Sequence, residues 1–267
     1  DKMSETEENN GPSAKVFTEA FKEVKGHVHV LERRVPIERQ VDYFARSAKL
    51  KNEAKDLGPF SDERVQQLYD ELRAPTPTDG DEPLSTAEKR YRLNMLAISR
   101  SVKAFRLLEE YIKDPDPEVA DWASLALMEA RLLLETEFSD EQQIYIATGL
   151  GGKEGKMRLS LAFLAKEGIP LLPYQQQIVE RELQFGLRQA DVEIEQLTLK
   201  PLYACLTALV PMALNVQRVV GDIVATCNEY GDFMESGFLV TNVNEFTEES
   251  ILKEIDKLHE QRNQASH

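Results

Sequence analysis

The chain has 267 residues, which is one large domain or two ordinary ones at about 150 residues each. An apolar fraction of 42% with 13 glycines is globular composition and excludes collagen-like, low-complexity and wholly disordered chains. With 47 acids against 32 bases the formal net charge is −15, which repels phosphate backbones and anionic lipid surfaces, so nucleic-acid and membrane partners are disfavoured.

Residues 1–12 are polar and acidic and end on Asn-Asn-Gly-Pro, the composition of a disordered tail. A helical region is expected over 13–138. Pro36 suits a first helical turn, after which Ile37, Val41, Phe44 and Ala48 recur as the apolar stripe of an amphipathic helix that stops near Gly58-Pro59. Ser61 or Asp62 caps the next helix, whose Val65, Leu68 and Leu72 share a face. Residues 74–83 hold three prolines and a glycine with almost nothing apolar, which predicts a mobile loop. Ser85 and Glu88 then have the spacing of a capping box.

Over 101–135, Val102, Phe105, Leu108 and Ile112 line one helix that stops before Asp114-Pro115-Asp116-Pro117. The following helix carries Val119, Trp122, Ala123, Ala126, Leu127, Ala130, Leu133 and Leu134 as a near-continuous stripe. This hinged pair, with small residues in its second helix, resembles a HEAT repeat, although no second copy follows at the period of such arrays. A single hairpin within a helical bundle is the competing reading. On either, a lone Trp on an apolar stripe is expected in the core.

From residue 139 the period changes. Ile144, Ile146 and Thr148 alternate with Tyr145 and Ala147, and Met157, Leu159, Leu161 and Phe163 alternate with Arg158, Ser160 and Ala162, which predicts a β-hairpin with one buried face. Pro173 opens a helix in which Tyr174, Ile178, Glu182 and Phe185 share a register beside Val179, Leu183 and Gly186. Strand-like runs at 192–199 and 202–210 flank Lys200-Pro201. Val216, Val219, Val220, Ile223, Val224 and Cys227 form a helical stripe stopped by Gly231. A strand at 238–243 and a helix at 247–258, capped by Thr247 or Ser250, close the region, and 263–267 is a tail. The expected fold is therefore α+β. A HEAT-like or bundle region precedes a ferredoxin-like β-α-β-β-α-β region at 139–262, with an extra leading strand and a C-terminal helix.

The chemistry is sparse. Gly149-Leu-Gly-Gly-Lys-Glu-Gly-Lys156 departs from a phosphate loop: Leu150 stands where the first glycine belongs, Met157 replaces the hydroxyl residue, and a strand rather than a helix follows. A solvated hairpin turn is the simple account, and an anion-binding nest of Gly151, Gly152, Lys153, Lys156 and Arg158 is the functional one. His27-x-His29 would put both rings on one side of an extended segment, but no third ligand follows at useful spacing, so solvated histidines and no metal are expected. Cys205 and Cys227 read as buried free thiols. No nucleophile elbow or Cys-His arrangement appears, the paired carboxylates are uninformative in so acidic a chain, and no catalytic residue or cofactor is expected.

With no export signal and free thiols, the cytoplasm is the expected compartment. The leading expectation is a non-enzymatic interaction or adaptor protein that holds a protein partner on a helical surface or sheet edge. The alternative is a small-ligand or anion-binding regulatory or enzymatic domain using residues 149–156.

Overall fold

The computed structural model describes residues 27–55, 60–74, 83–140 and 142–265. Among these the fold is mixed α+β, with eight α-helices and two sheets. The chain divides between a helical unit that ends at Gly151 and an α/β unit that begins at Gly152. The expected tail at 1–12 and most of the 74–83 loop lie outside the described residues.

In the helical unit, β1 (His27–Val30) precedes α1 (Ile37–Ala54), α2 (Asp62–Arg73), α3 (Thr86–Ile98), α4 (Val102–Tyr111), a 3-10 turn (Pro117–Val119), α5 (Ala120–Phe138) and β2 (Gln143–Ile146). The caps form where small hydroxyl residues precede the apolar periods. The Ser61 hydroxyl accepts from the Arg64 amide at the start of α2, and Ser85 and Glu88 close a full capping box on α3. Val65, Leu68 and Leu72 of α2 are buried together, as their spacing requires. α5 is apolar on most of its circumference, and it is buried accordingly, packing on α1, α3 and α4. Trp122 lies in this core, donating its indole N–H to Asn94 Oδ1 at 2.9 Å.

Three expectations change in this unit. The buried face of α1 is Gln40, Tyr43, Ser47 and Leu50, while Val41 is 62% exposed; polar side chains occupy core positions because each finds a hydrogen-bond partner there. In α4 the buried set is Ala104, Leu108 and Tyr111, and Val102 points outward. The strand at 143–146 forms no hairpin with the next one: it pairs in parallel with β1, His27 opposite Gln143 through Val30 opposite Ile146, and so belongs to the helical unit.

In the α/β unit, β3 (Gly152–Lys153) turns directly into β4 (Lys156–Ala165), followed by α6 (Pro173–Gln189), β5 (Glu193–Lys200), β6 (Tyr203–Pro211), α7 (Val216–Glu229), β7 (Met234–Thr241) and α8 (Glu248–Ala265). The turn between β3 and β4 places Glu154 and Gly155 at φ 50° and 76°, the left-handed pair that a two-residue hairpin needs. β4 pairs antiparallel with β6, β7 and the short β3, and β5 pairs antiparallel with β6, giving the lateral order β7-β4-β6-β5. Met157, Leu159, Leu161 and Phe163 share one sheet face with Ala204, Leu206, Ala208 and Val210, and that face packs on Val179, Leu183 and Leu187 of α6 and Val216, Val220, Ile223 and Val224 of α7. The opposite face presents Ala162, Leu164 and Tyr203 to Ile251 and Ile255 of α8.

Candidate functional site

The glycine-rich segment is divided between the units. Gly151 closes the helical unit at φ +71°, where a Cβ would stand 2.4 Å from the Glu32 carbonyl oxygen, so only glycine fits. Gly152 and Lys153 form β3, with Lys153 exposed and directly opposite Lys156. Lys156 Nζ lies 2.7 Å from the Asp191 carbonyl oxygen and 3.1 Å from its carboxylate. Arg158 is held more firmly: Nε and Nη2 donate to the two Glu195 oxygens at 2.5 and 2.7 Å, a bidentate pair set up where the β5 register shifts at Glu195. Two of the three cations proposed for anion binding therefore already face acidic residues.

The helical unit buries a carboxylate that the sequence did not single out. Glu129, 2% exposed, accepts from the Tyr43 hydroxyl at 2.7 Å and from the Ser47 hydroxyl at 2.6 and 2.8 Å, and Lys51 Nζ lies 2.6 Å away. Tyr43, Ser47 and Lys51 stand four residues apart on α1, so one helix face is built to meet one charge. Burial, and then the Glu129 charge, pushes the Tyr43 phenol well above its ordinary value. Beside this network Lys51, Lys55 and Arg100 line an open cavity of about 840 Å3.

His29 corrects the expectation of solvated histidines, since it is only 6% exposed. Its Nε2 lies 2.7 Å from Gln143 Oε1 and 3.1 Å from Glu135 Oε2, and the His27 ring packs edge-on at 4.8 Å between centroids. The third potential ligand missing at local spacing, an acidic one, is thus supplied by α5 as Glu135.

Both cysteines are free thiols. Cys205 is half-buried on the α8 face of the sheet and Cys227 is buried on the α7 face, so the sheet separates them. In the α/β unit, large apolar side chains are exposed at the approach to α6, along α6 and at the end of α7. Ile169, Leu172 and Tyr174, at the approach to α6, are all more than half exposed, as are Phe185 further along α6 and Tyr230 at the end of α7. Arg181 lies 5.6 Å over the Tyr230 ring, joining the two helices at this surface. An adjoining groove of about 370 Å3 is of mixed character, lined by Ile169, Pro170, Gly231 and Phe233 together with Lys166, Glu167, Gln175 and Asp232. Tyr174 and Phe185 shared a register in the sequence, but only the structure separates their outward face from the buried Val179, Leu183 and Leu187.

No protein-family model matches the chain, and no curated protein matches it. Among solved structures, the chain is similar to a protein described as a transposase of Deinococcus radiodurans R1, with 16% identity and a TM-score of 0.32 over 40% of this chain and 95% of that one. So loose an overlap carries no argument about fold or activity. No helix among the described residues is long and apolar enough to cross a membrane.

Proposed function

We propose that the chain is a non-enzymatic interaction protein that holds a protein partner on the exposed apolar side chains at the approach to α6 in its α/β unit. The observation that carries this reading is the grouping of Ile169, Leu172 and Tyr174 beside a groove lined by Ile169 and Phe233. Clustered large apolar side chains at a surface mark interaction sites, whereas single ones do not. The net charge of −15 favours a basic partner or basic segment. We read the succession β4-α6-β5-β6-α7-β7 as ferredoxin-like and α4–α5 as one HEAT-like hairpin, and place the protein in the cytoplasm, where free thiols persist. A sheet edge, one of the two surfaces the sequence offers for docking, is the weaker choice on β5, because a register shift and the Arg158–Glu195 pair break up that edge.

The test is capture from native lysate followed by cross-linking, with the intact chain and an Ile169→Asp/Tyr174→Asp variant as baits. A stoichiometric protein cross-linked to residues 169–185 of the intact chain, and lost with a variant of unchanged circular dichroism, is the expected result. Equal capture by both baits, or by neither, refutes the assignment.

A further inference from the structure

We propose that His27, His29 and Glu135 form a binding site for a divalent d-block cation such as zinc. Their three ligand atoms all lie within 4.8 Å of one another. Two elements of the helical unit bring this about. The parallel pairing of β1 with β2 holds 27–30 extended, which puts the i and i+2 imidazoles on one face. α5 then presents Glu135 from its last turn to that face.

Donors on a common zinc ion at about 2.1 Å stand about 3.4 Å apart when tetrahedral. The 3.1 Å separation of His29 Nε2 and Glu135 Oε2 already falls near that value. Closing the set needs a shift of little more than about 1 Å from the 4.8 Å limit, and the exposed His27 side chain, packed edge-on against the His29 ring, is the one with solvent to move into. A histidine–glutamate hydrogen bond alone would explain His29 and Glu135, but it would not require a second imidazole within reach. Two imidazoles and one carboxylate suit zinc, copper, nickel or iron, while magnesium and calcium prefer all-oxygen shells. Three protein donors leave at least one coordination position open, as in reactive rather than purely structural zinc sites. Zinc takes the Nε2 lone pair only as the proton on that nitrogen leaves to solvent, so the metal bond replaces the His29 Nε2–Gln143 Oε1 hydrogen bond of 2.7 Å, and Gln143 Oε1 then stands where it would accept from a water in the open position. The site ties the first described strand to α5, so the ion also braces the unit.

The experiment uses the full chain without a histidine tag, stripped with chelator and titrated with zinc chloride by calorimetry, with thermal unfolding followed by Trp122 fluorescence. The expected result is one zinc per chain, a higher unfolding temperature with zinc, and no heat with magnesium chloride. His27→Ala and Glu135→Gln should each weaken zinc binding at least about tenfold. His27→Ala alters an exposed side chain, so it keeps the test valid even if Glu135→Gln disturbs folding. Absence of zinc uptake by the folded wild type overturns the proposal. So does undiminished affinity in both variants, which would place the ion elsewhere, and so does a preference for magnesium.

Discussion

Replacing Glu129 with alanine should unfold the helical unit far more readily than its small loss of volume suggests. Glu129 is 2% exposed and accepts three short hydroxyl contacts from Tyr43 and Ser47 while facing Lys51 Nζ at 2.6 Å. Hydrogen bonds to a charged group contribute about 1.5–3 kcal/mol each, and stranding the partners of a buried pair costs about 3–5 kcal/mol. Truncation leaves the Tyr43 hydroxyl, on a side chain with no exposure, without an acceptor. We expect a loss of about 3–5 kcal/mol for Glu129→Ala. Glu129→Gln keeps the shape and one acceptor, and should lose about 1–3 kcal/mol. Lys51→Met should lose least, about 1 kcal/mol, because the Lys51 side chain is 42% exposed and water screens its charge. The chain has one tryptophan, and Trp122 packs edge-on against Tyr43 at 5.1 Å, so urea unfolding followed by its fluorescence reports this unit. With a slope of about 1–3 kcal/mol/M, the alanine variant should lower the midpoint by at least about 1 M. A midpoint within experimental scatter of wild type, or Lys51→Met costing more than Glu129→Ala, would refute the reasoning.

Ala126 has no exposure in α5, so Ala126→Leu should destabilise the helical unit by about 1–3 kcal/mol through overpacking, seen in the same urea titration. Gly151→Ala should also destabilise, by about 1–3 kcal/mol of backbone strain or more, because its φ is +71° and its Cβ would meet the Glu32 carbonyl oxygen at 2.4 Å; a neutral effect would mean the backbone there rearranges freely. Burial pushes the Cys227 thiol up to about 11. Burial raises the Cys205 thiol too, but Cys205 is only half-buried whereas Cys227 is buried, so native protein at pH 8 should react with a thiol reagent at Cys205 before Cys227. The sign of the linkage follows: the unfolded thiol, at about 8.5, releases its proton first, so stability is full below that value and falls as pH rises towards 11. Cys227→Ala should flatten that part of the stability profile, although Tyr43, whose phenol is raised in the same direction, continues the decline above pH ~10.

The parts of the fold legible in the sequence are those written in local chemistry. The capping box at Ser85, the alternation through Met157, Leu159, Leu161 and Phe163, and the proline at the first position of α6 each dictate geometry within a few residues, and each element forms where those signals stand. The β1–β2 pair was not legible as a pair. Each strand has four residues, a β-ladder between segments so far apart leaves no local mark, and the run Gln143–Ile146 reads equally well as the first half of a hairpin. The two histidines show the same limit. His-x-His carries half of a ligand set, and the missing acid is Glu135, a residue that within α5 looks like any solvated helix carboxylate.

The helical unit was misread where polar side chains behave as core. On α1 the apolar stripe through Val41 and Ala48 predicted the wrong face, because the helix buries Gln40 and Ser47 instead. Gln40 is the fuller case. Its amide nitrogen donates to the carbonyl oxygens of Val35 at 2.8 Å and Thr148 at 2.9 Å, and its amide oxygen accepts from the Tyr145 hydroxyl at 2.5 Å. One buried glutamine thereby fastens α1 to the chain on both sides of it, through the carbonyls of Val35 and Thr148. Burying such a group without partners costs about as much as burying a leucine gains, so a polar residue at a core position is tolerated where its partners converge. A periodicity that scores residues by hydropathy places Gln40 in water, since two of the three groups that make its burial favourable, on Tyr145 and Thr148, lie more than a hundred positions along the chain. Glu129 obeys the same rule, with three α1 side chains converging on it. Polar residues that interrupt an otherwise amphipathic helix at core spacing are thus the places where long-range structure is concentrated: Gln40 and Ser47 on α1, Asn94 on α3 and Glu129 on α5, three helices that all pack on one another.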